Sequence, residues 1–289
     1  MEQLSVVIIT YNEETNIGSC IDSVAGIADE IIVLDSYSTD NTLAIAKDKG
    51  AKVWQMSFDG YIGQKNRALQ LASNNFVLSL DADEVISERL KRSILKAKET
   101  FTYSAYKMNR CANYCGEFIR HGTWYPNKKT RLFDKRVGYW GGLNPHDKVV
   151  FDKPIAVKHL EGELLHYSFK SVTDHNAQNI RFSSIAAQSL FEAGRKTNRL
   201  KVFINPAWAF LNGYLLHAGF LNGKTGLTIS MKQARYTYLK HQKLYFLQKG
   251  RPATGQNPAS PLRKVKAEFS DIQSSANADR LPRDVRSHV

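Results

Sequence analysis

The segment Phe76-Val77-Leu78-Ser79-Leu80-Asp81-Ala82-Asp83-Glu84 constrains this chain more than any other. Its first five residues form the short apolar run of a buried strand. The run ends in three carboxylates, Asp81, Asp83 and Glu84. Acids gathered at the end of a buried strand add little to packing. They suit a hard divalent cation, Mg²⁺ or Mn²⁺, which takes oxygen ligands and shares them with phosphate. In open α/β sheets, ligands bind along that same edge, outside the carboxyl ends of the strands. The alternative is a strand followed by the acidic first turn of a helix, since residues 87–98 have helical character.

Three similar runs lie upstream. Leu4 to Thr10 is β-branched and apolar throughout, as in a central parallel strand buried on both faces. Glu30 to Asp35 is a second run and Lys52 to Met56 a third. Helical segments separate them. One carries Ile17, Cys20, Ile21 and Val24 along a single side, with Asn12 or Thr15 as a possible cap. Another spans 41–49 and closes at Gly50. The next spans 60–72 and carries Gln64, Lys65, Asn66 and Arg67. Strands alternating with helices at this spacing predict an α/β fold with a doubly wound, mostly parallel, Rossmann-like sheet. Three of the four strand ends then bring Tyr11, Asn12 and Glu13, Asp35, and Asp81 and Asp83 to one edge. The first β–α turn lacks both G-x-G-x-x-G and G-x-x-x-x-G-K, which disfavours a dinucleotide or P-loop phosphate cradle. A bound nucleotide is therefore expected to be neutralised by a cation and basic side chains.

The second half is richer in aromatics. Strands are expected over 105–111 and 119–133, around Tyr103, Tyr106, Tyr114, Trp124, Tyr125, Tyr139 and Trp140. Aromatic faces suit sugar rings, and they equally suit packing. Gly141-Gly142 permits an open turn before Asn144-Pro145-His146-Asp147. A helix is expected over 173–193. Residues 201–221 are apolar and aromatic but too interrupted by polar residues to make a confident membrane span. Basic residues flank them, so 201–250 reads as helices lying on an anionic membrane or packing on the rest of the chain. The polar stretch 251–289 reads as a disordered tail.

At 289 residues and a net charge of +13, the chain fits one large domain with an appendage and an anionic partner or surface. Nucleic acid is disfavoured as that partner, because the basic residues adjoin an apolar aromatic segment rather than a reading helix. The odd count of three cysteines, Cys20, Cys111 and Cys115, argues for reduced thiols in the cytoplasm. The amino terminus has no basic region of a signal peptide.

Four motifs in order carry a resemblance: VVIITYNEETNI, VLDSYSTDNT, GQKNRAL and LSLDADE. Together they resemble the family 2 glycosyltransferases of the GT-A fold, over roughly residues 4–170. Downstream, TRLFDKRVGYWGGLNPHDKVVF, LLHYSF and NIRFSS resemble the bacterial subgroup that adds glucose to the inner core of lipopolysaccharide or lipooligosaccharide. The resemblance implies a catalytic domain over 1–200, with a nucleotide-sugar half over 1–100 and an acceptor half over 101–200, followed by the helices of 201–250. It implies a UDP-hexose donor, a lipid-linked saccharide acceptor and a place on the cytoplasmic face of the inner membrane. Other acceptors, a polyprenyl phosphate or a capsule intermediate, stay open, as does a non-catalytic binder of nucleotide sugar or anionic lipid.

The resemblance also implies roles. Thr10 and Tyr11 would lie against the base, Glu13 would reach the ribose, and Asp35 would accept the base's imino proton. Lys65 would approach the base or diphosphate, Asp81 the ribose, and Asp83 the metal. The family slot for the catalytic base usually holds His-Glu and here holds His146-Asp147. Asp147 is the expected base, with a turn-capping role as the alternative. His166 would complete the metal shell or sit in the core as an ordinary histidine.

Overall fold

A computed structural model describes residues 2–143 and 146–250. The tail expected over 251–289 and the Asn144-Pro145 part of the expected turn lie outside the described residues. By contacts the chain divides into two compact units. The first runs to Asn179 and includes Pro206–Arg235; the second is Ile180–Asn205 with the described residues from Tyr236.

The first unit holds the sheet. Strands β1 (Leu4–Thr10), β2 (Glu30–Asp35), β3 (Lys52–Gln55) and β4 (Phe76–Asp81) alternate with helices α1 (Ile17–Val24), α2 (Thr42–Asp48) and α3 (Tyr61–Leu71). β1 pairs in parallel with both β2 and β4, and β2 with β3. Every residue of β1 is buried. Leu4, Val6 and Ile8 face one hydrophobic cluster with α1, while Val7 and Ile9 face another with Ala68 and Leu69 of α3. A strand covered on both faces needs the continuous apolar run seen in the sequence. Register then aligns the strand ends: Thr10 pairs with Asp35, Ile9 with Asp81, and Asp35 with Gln55.

The rest of the sheet is mixed. After β5 (Glu84–Ile86) and α4 (Glu88–Lys98) come β6 (Ala105–Tyr114), β7 (Glu117–Phe118), β8 (Asn127–Asp134), β9 (Gly138–Leu143), β10 (His146–Phe151) and β11 (Val157–Phe169). The strand order is β3-β2-β1-β4-β8-β6-β11-β5, with β7 beside β6, while β9 and β10 form a separate hairpin. Only Ala82 and Asp83 join β4 to β5, yet three strands stand between them in the sheet. Four strand spacings in a flat sheet are about 19 Å. Two linking residues reach at most about 11 Å between the strand ends. The sheet must therefore curl, and its curl closes around whatever side chains point inward.

Several expectations need correction. Residues 84–86 form strand β5 rather than a first helical turn, and Ser87 caps α4 by accepting from Leu90 N–H. The strand expected over 119–133 begins only at Asn127, because Gly122 has φ +87° and Pro126 lacks a ladder donor. Gly141-Gly142 lies within β9 rather than in an open turn. Asn12 does not cap α1; its side-chain oxygen accepts from Thr39 N–H, and Asn16 occupies the cap position.

Beyond the sheet lie α5 (Val172–Glu192), α6 (Arg199–Leu211) and α7 (Gly223–Gln248). Among the described residues, no helix is long and apolar enough to cross a membrane. Cys20, Cys111 and Cys115 are all free.

Candidate active site

The curl explains why charged residues lie inside a sheet protein. Glu84 of β5 is fully buried. It accepts a 2.6 Å hydrogen bond from Arg131 of β8 and, through Oε2, one of 3.1 Å from Asp81 N–H. The same Arg131 Nη2 donates to Asp81 Oδ2 at 2.8 Å. On its other oxygen, Asp81 meets the Lys65 ammonium at 3.0 Å. That ammonium, only 3% exposed, donates in turn to Asp147 Oδ2 at 2.7 Å. The result is a line of alternating charge, Asp147–Lys65–Asp81–Arg131–Glu84, drawn from β10, α3, β4, β8 and β5. Each buried charge here has a partner, as burial requires. Trp140 of β9 lies beneath both cations, 4.3 Å from Lys65 and 5.2 Å from Arg131. Asn66 fixes the Trp140 backbone through two 2.9 Å hydrogen bonds.

Partial burial raises the Asp81 carboxyl, but Arg131 and then Lys65 more than offset this and hold it well below the usual carboxylate range. Asp147 lies in a strand and directs its carboxylate at Lys65, so it is not a turn cap. Its second oxygen makes no hydrogen bond among the described residues.

Asp83 and His166 form a pair beside this line. His166 Nε2 stands 3.1 Å from Asp83 Oδ2, and its Nδ1 shares a 2.6 Å hydrogen bond with Ser168 Oγ. The Ser168 hydroxyl holds the ring so that Nε2 faces the Asp83 carboxylate, the kind of orientation that an outer-shell partner gives a metal-binding imidazole. His166 is therefore not a core histidine. Among the described residues no cluster of three or more protein ligands forms. One carboxylate and one imidazole fit a divalent ion that draws its other ligands from phosphate oxygens and water.

The remaining expected residues line the neighbouring strand ends. Thr10 is buried, and its hydroxyl has no hydrogen-bond partner among the described residues. Tyr11, the next residue, is 58% exposed. Glu13 accepts from Asn16 at 2.6 Å. Burial and the nearby Asp83 charge raise its carboxyl, against the Asn16 hydrogen bond. Asp35 is fully buried and holds the following loop, accepting from Ser38 N–H at 2.8 Å, from the Ser38 hydroxyl, and from Gln55 at 3.1 Å. The structure thus joins Lys65, Asp81 and Asp147 directly, sets Asp83 with His166, and aligns Thr10 with Asp35 by register.

The sequence gives no role to Arg131, and it groups Glu84 with the cation-holding acids and Trp140 with the aromatics suited to sugar or packing; the structure instead buries Glu84 against Arg131 and sets Trp140 beneath two cations. Arg131 is one of three cations in the β8 sequence NKKTRLFD, so nothing local separates it from Lys128 and Lys129.

The glycosyl transferase family 2 model matches residues 5–158. A glycosyltransferase of Rickettsia prowazekii, itself uncharacterized, is 33% identical over 84% of this chain and 87% of its own. The lipopolysaccharide core biosynthesis glycosyltransferase LpsC of Rhizobium meliloti is 26% identical over 84% of this chain and 92% of its own. Glucosyl-3-phosphoglycerate synthase from Mycobacterium tuberculosis, solved with Mn²⁺ and UDP, is 29% identical with a TM-score of 0.33. That alignment covers 39% of this chain and 44% of that one, so the chain spans less than half of the solved structures it matches.

Proposed function

The chain belongs to glycosyl transferase family 2, and within it we propose an inverting transferase that moves a hexose, glucose from UDP-glucose, onto a heptose of the lipopolysaccharide inner core. The observation that carries the reading is the Asp147 carboxylate, anchored at 2.7 Å on one oxygen by buried Lys65 and unbonded on the other. A base needs a fixed position and an open lone pair within reach of the proton it takes. Lys65 provides the first by tying Asp147 to Asp81 at the carboxyl end of β4. The acceptor hydroxyl then loses its proton to Asp147 as its oxygen attacks the anomeric carbon. The bond to the nucleotide diphosphate breaks on the opposite face, which inverts the configuration. Tyr11 offers an exposed ring and Thr10 an unpartnered hydroxyl to the nucleoside. Asp83 and His166 would hold a divalent cation, Mg²⁺ or Mn²⁺. When bound, the cation neutralises charge on the leaving diphosphate.

The acceptor is lipid-linked, on this reading, and the chain works at an anionic membrane surface. From Ala193 to Gly250 there are ten Lys and Arg and no Asp or Glu. In the same stretch Trp208, Leu211, Leu215, Leu216, Phe220 and Leu221 are 44–65% exposed. Apolar and aromatic side chains exposed within a purely cationic segment suit the boundary of an anionic bilayer.

The test is UDP release from a panel of UDP-sugars with lipid A–core acceptor and either metal. Turnover with UDP-glucose is expected, and no turnover with any donor by a folded enzyme removes the reading. Sedimentation with vesicles reads the surface. Binding is expected with phosphatidylglycerol and not with phosphatidylcholine alone.

A further inference from the structure

Two cations beside the Asp147–Glu84 line lack adequate partners. Among the described residues Arg110 of β6 reaches only Glu84, at 3.6 Å, and Arg131 already holds that carboxylate at 2.6 Å. Lys129 of β8 is half-buried, yet its side chain makes no hydrogen bond or ion pair among the described residues. A lysine buried to that degree is seldom left without an anion.

The sheet register places the two together. Met108 pairs with Lys129, and Arg110 with Asn127. Arg110 and Lys129 are therefore diagonal neighbours on one face, with backbones about 7–8 Å apart. Arg131, two residues on, is the extra residue at a register shift in the β6–β8 ladder. The β4–β8 ladder ends at Leu78 opposite Leu132. Past that point β8 gains the extra residue, and it is Arg110, 3.6 Å from Glu84, that ties the pair to the line of charge. The electrostatics agree. Burial, then Arg110 and Arg131, push the Lys129 ammonium below its ordinary value, and Asp147 and Glu84 only partly oppose this.

We propose that Arg110 and Lys129 form an anion subsite for the acceptor, taking a phosphoryl or carboxylate group that the saccharide carries near its reacting hydroxyl. This rests on the assignment of Asp147 as the base. The acceptor, rather than the donor diphosphate, is the source of the anion because of strand position. β8 and β6 lie on the side of β4 away from β1 and β2. It is the ends of β1 and β2 that carry Thr10, Tyr11, Glu13 and Asp35, and the diphosphate has Asp83 and His166. An anion at Arg110 and Lys129 would fix which hydroxyl meets Asp147, so the subsite sets regiochemistry as well as affinity.

Calorimetric titration of inorganic phosphate into the full chain, free and saturated with UDP and Mg²⁺, tests this. Saturable phosphate binding with UDP already bound is expected. Lys129→Gln and Arg110→Gln should each weaken it by about tenfold or more and leave UDP affinity unchanged. Lys129→Arg and Arg110→Lys, which keep charge and fold, should retain it. Exposed Lys128 is the control, and Lys128→Gln should behave as the parent. Absence of saturable phosphate binding overturns the proposal, as does an equal loss in Lys128→Gln. A loss of UDP affinity in the Lys129 and Arg110 variants overturns it too, because the cations then serve the donor. If UDP fails to bind the parent chain, the donor reading fails by itself, and the titration into the free chain still reads the subsite.

Discussion

Lys65 and Asp147 are 82 residues apart in the chain and 2.7 Å apart in the fold. The same ammonium holds Asp81 at 3.0 Å. Lys65→Met would remove the cation hydrogen-bonded to Asp147 and strip Asp81 of one of two. Removing one partner from a buried pair costs about 3–5 kcal/mol. Urea unfolding of the variant should show a loss of that order with the slope unchanged.

Asp147→Asn keeps the shape of the side chain and an oxygen for Lys65, but cannot take a proton. The expected outcome is a fall in kcat of about 10²–10⁴ with UDP affinity retained. A binder without catalysis would show no change in either. Steady-state kinetics and UDP titration decide between them.

His166→Ala removes one of the two protein donors of the proposed cation pair. The metal concentration for half-maximal activity should rise by more than tenfold. Ser168→Ala leaves both donors in place but frees the imidazole orientation, and a loss of roughly 10-fold is expected from outer-shell partners of this kind. Metal titrations of activity, and of Mn²⁺ binding by electron spin resonance, measure both.

His175 sits among Tyr114, Trp124 and Phe169, with Nδ1 3.2 Å from the Tyr114 hydroxyl. Burial, with Lys232 nearby, lowers its pKa from 6.5 to about 4. Between those values the unfolded chain binds the proton and the folded one does not. The neutral ring therefore contributes stability that is full above pH 6.5 and is lost as pH falls toward about 4. The slope is at most about 1.4 kcal/mol per pH unit. Melting curves across that window should flatten in His175→Phe relative to the parent.

Gly162 lies in β11 at a register shift between His159 and Glu163, with φ +100°. A Cβ there would stand 2.2 Å from the backbone nitrogen of Leu90 in α4. Gly162→Ala combines left-handed backbone strain with a clash against main chain that cannot rotate away. A loss above about 1 kcal/mol is expected, read by thermal melting.

The strands and helices up to Asp81 were legible because their signals are local. An apolar run such as Leu4–Thr10 declares a strand buried on both faces, and the spacing of Ile17, Cys20, Ile21 and Val24 declares a helix side. Legibility fell where one residue overrode a local pattern. Gly122 and Pro126 broke the run expected over 119–133, and Glu84 to Ile86 joined a strand 80 residues downstream through His166 opposite Glu84.

The apolar runs by themselves place Tyr11, Glu13, Asp35, Asp81 and Asp83 at one sheet edge, because those runs fix the strands and chain polarity fixes which ends coincide. Lys65, Asp147 and His166 join them only through the resemblance to the family. Only the tertiary structure decided how they share charge. Arg131 joins Asp81 to Glu84 across 50 and 47 residues, and Lys65 joins Asp81 to Asp147. An ion pair has no periodicity to leave in a sequence. Its partners are chosen by the curl of the sheet, which buries several charges together and so requires each to find its opposite.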